Sequence, residues 1–464
     1  LKKLSYQLNK SAESPLYLQL YQQIKQAIHH QELALGSKLP SKRQLCDYLQ
    51  ISQNTVESAY NQLIAEGYIE AQPRRGFFVC FQAELSFPLQ KNEQNRPLVK
   101  PERQVKFDFN PNKIDSRHFP WKLWQKCARF QRNIAQQQQC LALGDKQGDL
   151  ELREQIANYL AASRGVRCEA EQIVIGAGVE SCVQQLILLF NHCYPQRNFR
   201  YAMERYGYAK VEKLLHLYGK SVIKFPLEMD FSQLAQDDLN VAYLTPSHLY
   251  PFGQVLTISQ RQQLLEWAGR SAERYIIEDD YDSEFRYQGK PIPALQSLDY
   301  QDKVIYLGSF SKLLMPSLRL SFMVLPKTLL VDYQHCCDFF HSPVSRFEQQ
   351  RLAQFIQSGE LEKHIHRMRK IYRSKMVRLC ELLAPHRQKI AYYGEHSGFY
   401  LLIELLNEPR SQQQLTTLAA QRDIQLYPVD YQGRKLFSLG FGDLSEEELS
   451  EAVGALLAVW GIGE

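Results

Sequence analysis

Lys312 closes the segment Gly308-Ser309-Phe310-Ser311-Lys312, which follows the apolar run Val304-Ile-Tyr-Leu and stands seven residues before Arg319. A lysine that forms a Schiff base needs a partly desolvated pocket, and a phosphate group needs hydroxyl donors and a positive charge beside it. Ser309, Ser311 and Arg319 supply both kinds of phosphate ligand. Upstream, Tyr275-Ile-Ile-Glu-Asp-Asp-Tyr-Asp places carboxylates at the end of an apolar strand, where the carboxyl edge of a sheet presents them to a ligand. Asp279 can hold a pyridine nitrogen protonated, because a fixed negative charge raises that nitrogen's pKa, and Tyr281 can donate to a phenolic oxygen. Ile175-Gly-Ala-Gly-Val leads from a strand into a helix whose first amides, at Ala177, Gly178 and Val179, are able to bind phosphate. Each motif alone is weak; their order and strand-end context point to one site.

A second constellation lies near the start of the chain. Leu16, Leu20, Ile24, Ala27 and Ile28 share one face at helical spacing. Ser41 is placed to cap a second helix over Lys42 to Leu49, and a third runs from near Ser52 to about Glu66, where Gly67 ends it. Two short helices joined by the turn at Ile51-Ser52 read as a helix-turn-helix. The strands Tyr68-Ile-Glu and Phe77-Phe-Val then flank Pro73-Arg74-Arg75-Gly76, a hairpin with a basic tip, which is a wing.

Those motifs need two kinds of scaffold. Residues 12–80 are expected to form the small winged domain, 81–104 a linker marked by Pro88, Pro97 and Pro101, and 105–464 a large α/β domain. In the large domain, apolar runs at 172–176, 241–245, 275–278 and 304–308 alternate with helical segments, as a buried, mostly parallel sheet requires. The length of 464 residues, with 44% hydrophobic and 23% charged residues, suits one small and one large folded domain. A net charge of +5 is too mild to imply a nucleic-acid partner by itself. The first 80 residues, however, carry nine Lys or Arg against six Asp or Glu. Ten scattered cysteines without a C-x-x-C pair favour reduced thiols and a cytoplasmic location, with no metal site. No run is long and apolar enough to span a membrane, and the opening residues carry no signal peptide.

With these residues in place, the chain resembles the MocR/GabR subfamily of GntR-type transcription regulators over nearly its whole length. The fold this implies is a winged helix-turn-helix followed by a domain similar to fold-type I aminotransferases. The resemblance implies that Lys312 carries pyridoxal 5'-phosphate (PLP), with Asp279 on the pyridinium and Tyr281 on the phenolate. It also implies that Tyr208 stacks on the ring and that Thr245 lies near the same phenolic oxygen. In the small domain it implies that Ser41 and Arg43 meet phosphates of double-stranded operator DNA. Ser52, Gln53, Asn54 and Thr55 then open the recognition helix near base edges, and Arg74, Arg75 and Gly76 approach the backbone or minor groove. Many relatives carry arginine where Gln53 stands, and glutamine favours adenine over guanine.

Two functions fit such a chain: a ligand sensor and a working aminotransferase. Transaminases of this fold clamp the substrate α-carboxylate with an arginine near the carboxyl end, and an ungapped alignment puts Phe437 there, with Arg434 three residues away. Weak or absent transamination is therefore expected, with an amine or PLP itself as effector. In the GABA-sensing branch two arginines hold the effector carboxylate; here Lys210 and Tyr431 stand at those positions, and lysine lacks the bidentate fork. The resemblance further implies a head-to-tail, domain-swapped homodimer.

Overall fold

The computed structural model describes residues 6–9, 12, 14–81, 105–128, 134–226, 231, 234, 238–289 and 291–462. The chain divides into two compact units, Leu1–Glu102 and Arg103–Glu464. Apart from Phe81, the expected linker 81–104 lies outside the described residues.

The first unit holds helices Leu16–His29, Lys42–Leu49 and Gln53–Ala65 and the antiparallel hairpin Ile69–Gln72 with Gly76–Val79. Its core forms where the helical stripe meets the hairpin: Leu20, Ile24, Ile28, Leu45, Val56, Ala59, Tyr60, Leu63, Ile69 and Val79 are all buried. The helix starts are fixed locally. Ser41 and Gln44 form a reciprocal capping box, and the Ser52 hydroxyl accepts from the Thr55 amide. Gly67, at a φ of +73°, lets the chain leave the third helix for the hairpin. The Tyr60 hydroxyl donates to the Pro40 carbonyl at 2.9 Å, tying the third helix to the start of the second.

The second unit is built on a seven-stranded sheet in the order Ile173–Gly176, Ser321–Val324, Val304–Ser309, Tyr275–Asp280, Val241–Leu244, Tyr201–Glu204 and Val222–Phe225. Six strands run one way; Ser321–Val324 is antiparallel to both neighbours. Side chains alternate between two helix-covered faces, as the period of two demands. Ile173 and Ile175 pack with the helices Leu150–Arg164 and Glu360–Leu383, while Val174 packs with Val179–Cys193 on the other side. Burial on both faces explains why these strands read as continuous apolar runs. A second, antiparallel sheet joins Ile390–Tyr393, Tyr400–Leu405, Arg434–Gly440 and Tyr427–Tyr431.

Candidate functional site

Six strands of the large sheet end at one edge, five of them at Gly176, Glu204, Leu244, Asp280 and Ser309. Nearly every candidate of the large unit follows one of those ends. Ala177, Gly178 and Val179 open a helix; Tyr208 precedes another; Thr245 leaves its strand; Asp279 and Tyr281 stand at the end of the next; Ser309, Ser311 and Lys312 stand at the end of the one after that. Arg319 stands just before the antiparallel strand, so six segments distant in sequence meet at this edge.

At the lysine, the Nζ donates to the Pro111 carbonyl at 3.1 Å and lies 5.0 Å from the centre of the Phe399 ring. Burial pushes the Lys312 ammonium down to about 8, with Asp282 opposing. Asp279 is 5% exposed and accepts from the Tyr243 hydroxyl through one oxygen, while its Oδ1 is buried without a partner. Burial pushes this carboxyl up to about 7 against the Tyr243 hydrogen bond, and Asp280 and Asp282 push the same way. The adjacent Asp280 differs in kind: Arg164 and the Tyr306 hydroxyl both reach its Oδ2 at 2.7 Å. Of the two neighbouring acids, Asp280 has its arginine partner and Asp279 is a buried carboxyl without a cation.

The Tyr281 hydroxyl donates to the His248 carbonyl at 3.1 Å. The His248 ring is paired with Asp282 at 2.6 Å and lies between the Tyr281 and Tyr400 rings, with centroids 5.7 and 5.6 Å away. Thr245 is held by a buried acid. Its amide and hydroxyl donate to Glu204 at 2.6 and 2.8 Å, and burial pushes that carboxyl up to about 7. Glu204, His248, Asp282, Tyr243 and Tyr400 were not singled out in the sequence. Only Thr245-Pro-Ser-His and Asp-Tyr-Asp hinted at the middle pair.

At the other end, the Ser309 hydroxyl accepts from the Ser311 amide at 3.2 Å and from the Ser321 hydroxyl at 2.9 Å. Arg319 donates to the Ala177 carbonyl at 3.3 Å and to Glu180 at 3.2 Å. Gly178 adopts a φ of +103°, and a Cβ there would collide with the Arg319 guanidinium. The Tyr208 hydroxyl donates to Glu180 at 2.9 Å, and the Lys210 Nζ lies 3.5 Å from the same carboxylate.

The carboxyl-terminal candidates need a correction of register. Phe437 is fully buried against Trp460 and belongs to the main core, so it does not face the cleft. Its neighbour Ser438 is buried and pairs with Leu402 and Tyr427, its side chain on the opposite face toward Tyr250. One residue of slip reverses the face of a strand, which an ungapped alignment cannot detect. Arg434 shares that opposite face, but its Nε donates to Glu404 at 2.8 Å and its guanidinium is ringed by Phe252, Tyr393 and Tyr431 at 5.4 to 5.6 Å. Tyr431 is itself buried in this apolar cluster.

In the first unit, Arg43, Gln53, Asn54, Arg74 and Arg75 are exposed. Ser41 and Ser52 are engaged as helix caps, and Thr55 shares a 2.8 Å hydrogen bond with the Ser52 hydroxyl. Gly76, with a φ of +113°, closes the hairpin tip. The structure adds Lys38, missed in the sequence, which bridges to Phe78 of the hairpin and whose Nζ, like the Arg75 guanidinium, lies over the Phe78 ring. Among the described residues no cluster of ligands for a metal ion and no helix long and apolar enough to cross a membrane is present.

Residues 16–79 match the family model for bacterial regulatory proteins of the gntR family, and residues 102–456 that for aminotransferase class I and II. The chain is 38% identical to the uncharacterized HTH-type transcriptional regulator YdeL of Bacillus subtilis, over 98% of this chain and 99% of the other. It is 26% identical to the probable rhizopine catabolism regulatory protein MocR of Rhizobium meliloti, over 97% and 94% of the two chains. The kynurenine aminotransferase of Pyrococcus horikoshii superposes with a TM-score of 0.66 at 21% identity, covering 78% of this chain and 91% of that one. The likeness to that structure is one of fold: the large unit has the fold-type I aminotransferase architecture.

Proposed function

This chain belongs to the MocR/GabR subfamily of GntR-type transcription regulators, and from that premise we propose that residues 12–80 bind operator DNA while residues 105–464 hold PLP and sense an amine or the cofactor itself. The observation that carries the cofactor reading is Asp279: a buried carboxylate oxygen without a partner, in the same cleft as a desolvated lysine. A protonated pyridine nitrogen is the cation such an oxygen lacks.

When bound, the cofactor supplies an aldehyde carbon that primary amines attack reversibly. The chain's own residues prepare for that. With its pKa at about 8, roughly a tenth of Lys312 side chains are neutral and nucleophilic at pH 7, against under about a thousandth for an ordinary lysine. Asp279 holds the ring nitrogen's proton. Tyr281, which now donates to the His248 carbonyl, would turn that hydroxyl to the phenolic oxygen, and the Tyr208 ring would offer a stacking surface. Ser309, Ser311, Arg319 and the amides of Ala177, Gly178 and Val179 form the phosphate cup. Thr245 acts at one remove, through Glu204.

The sensing role is favoured over turnover by the carboxyl-terminal strand. Arg434 is neutralised by Glu404, and the cleft-side neighbour of Phe437 is a serine, so a substrate α-carboxylate lacks a bidentate clamp there. Lys210 and Tyr431 likewise offer no guanidinium fork, which argues against an effector held as in the GABA-sensing branch. In the DNA unit, Arg43, Lys38, Arg74 and Arg75 neutralise phosphates, and Gln53 and Asn54 meet base edges. The linker gives room for a head-to-tail homodimer, which sedimentation of the full chain tests. The visible absorbance of the PLP-loaded protein tests the effector reading: an effector amine shifts it, and the same amine changes operator affinity. Amino-acid turnover at roughly 1 per second or faster would instead establish a working aminotransferase.

A further inference from the structure

Glu180 is the residue in the cleft with no place in that scheme. Its carboxylate sits at the first turn of the helix Val179–Cys193, beside Gly178, and gathers Arg319 at 3.2 Å, the Tyr208 hydroxyl at 2.9 Å and Lys210 at 3.5 Å. All three partners belong to the proposed site: the phosphate-binding arginine, the stacking tyrosine and the lysine at an effector position. Desolvation opposes the charge, but its own backbone amide, Tyr208, Arg319 and Lys210 outweigh it and hold the Glu180 carboxyl below its ordinary value, so it is an anion at neutral pH. A helix start with an arginine beside it is where a phosphate is stabilised, and here a side-chain anion already lies in it.

We propose that Glu180 is a built-in competitor of the cofactor's phosphate, which weakens PLP binding and turns cofactor occupancy into a concentration-dependent signal. The inference rests on the PLP reading above. A phosphate dianion entering the cup would have to share Arg319 with the carboxylate or displace it, and two anions that share one arginine repel. Displacing Glu180 also releases the Tyr208 hydroxyl and Lys210. Loading the cofactor therefore rearranges the start of the helix Ala209–Leu217 together with the cup, giving occupancy a structural consequence in the chain.

Direct titration of the full-length apoprotein with PLP and with pyridoxal, which has no phosphate, tests this in the wild type and in Glu180→Gln. Glutamine keeps the size and removes the charge. The expected result is that Glu180→Gln tightens PLP by about tenfold or more while pyridoxal affinity changes by less than about twofold. An unchanged or weakened PLP affinity in the variant overturns the competitor role. In the wild type alone, the phosphate is expected to improve affinity over pyridoxal by less than about tenfold. A much larger ratio also overturns the inference, with no variant needed. Failure of PLP to bind Lys312 in the wild type overturns the PLP reading itself, a separate outcome.

Discussion

The two units carry their functional residues in opposite ways. In the first, the candidates are exposed and lie within short stretches: the Ser41 cap closes on Gln44 three residues on, and the hairpin tip spans four residues. In the second, the Asp279 carboxylate and the Lys312 amine are withdrawn from solvent while Arg319 and Tyr208 stay exposed beside them, and the set comes from distant segments, as when Lys312 reaches the carbonyl of Pro111, 201 residues away. A DNA reader must present charge to a ligand larger than itself, whereas a carbonyl-reactive lysine works only where water is excluded. Local sequence therefore encodes the first kind of site nearly whole, and the second only through its strand-end motifs.

The sharpest way to break this contrast is to remove the buried carboxyl of Asp279. The folded pKa of Asp279 is raised to about 7, so the native state keeps a proton that the unfolded chain loses at about 4. Its relative stabilisation is full at acid pH and is lost as pH rises through about 7, a cost of up to about 4 kcal/mol at alkaline pH. Denaturation of the apoprotein at pH 5 and pH 8 should show Asp279→Asn losing less stability with rising pH than the wild type. The same substitution should weaken PLP about a hundredfold, since the ring nitrogen's counter-ion is gone.

The second prediction concerns the independence of the units. Leu63 is fully buried in the small core, and Leu63→Ala should cost about 3 kcal/mol, a large share of the stability of so small a domain. Operator binding should fall in gel-shift titrations while PLP absorbance is retained; loss of both would join the two units energetically. At the wing, Arg74→Ala and Arg75→Ala should each reduce the salt dependence of DNA affinity by about one unit of slope, and leave cofactor titrations unmoved. Smallest of all, Ser41→Ala should cost about 1 kcal/mol of unfolding free energy, read from denaturant midpoints, by opening the capping box.

The same contrast explains what the sequence made legible. The three helices, the hairpin and the four core strands were readable because apolar period and capping residues are local signals. Lys312 and Asp279 could be singled out because they lie at the ends of apolar runs, and Arg319 because it stands seven residues after the lysine. Glu204 and the His248–Asp282 pair were not, because their partners lie 41 and 34 residues away and no periodicity reports such a contact. Phe437 was misplaced for a different reason: adjacent strand residues face opposite ways, so proximity in sequence put it in the cleft when pleating puts Ser438 there.

The central claim is a covalent bond between the Lys312 amine and an aldehyde cofactor. Borohydride reduction of the PLP-loaded full-length protein, followed by peptide mass mapping, tests it most directly. The account predicts a single reduced adduct on Lys312, absent in Lys312→Ala; a protein saturated with PLP that gives no adduct there, or one spread over surface lysines, would contradict it.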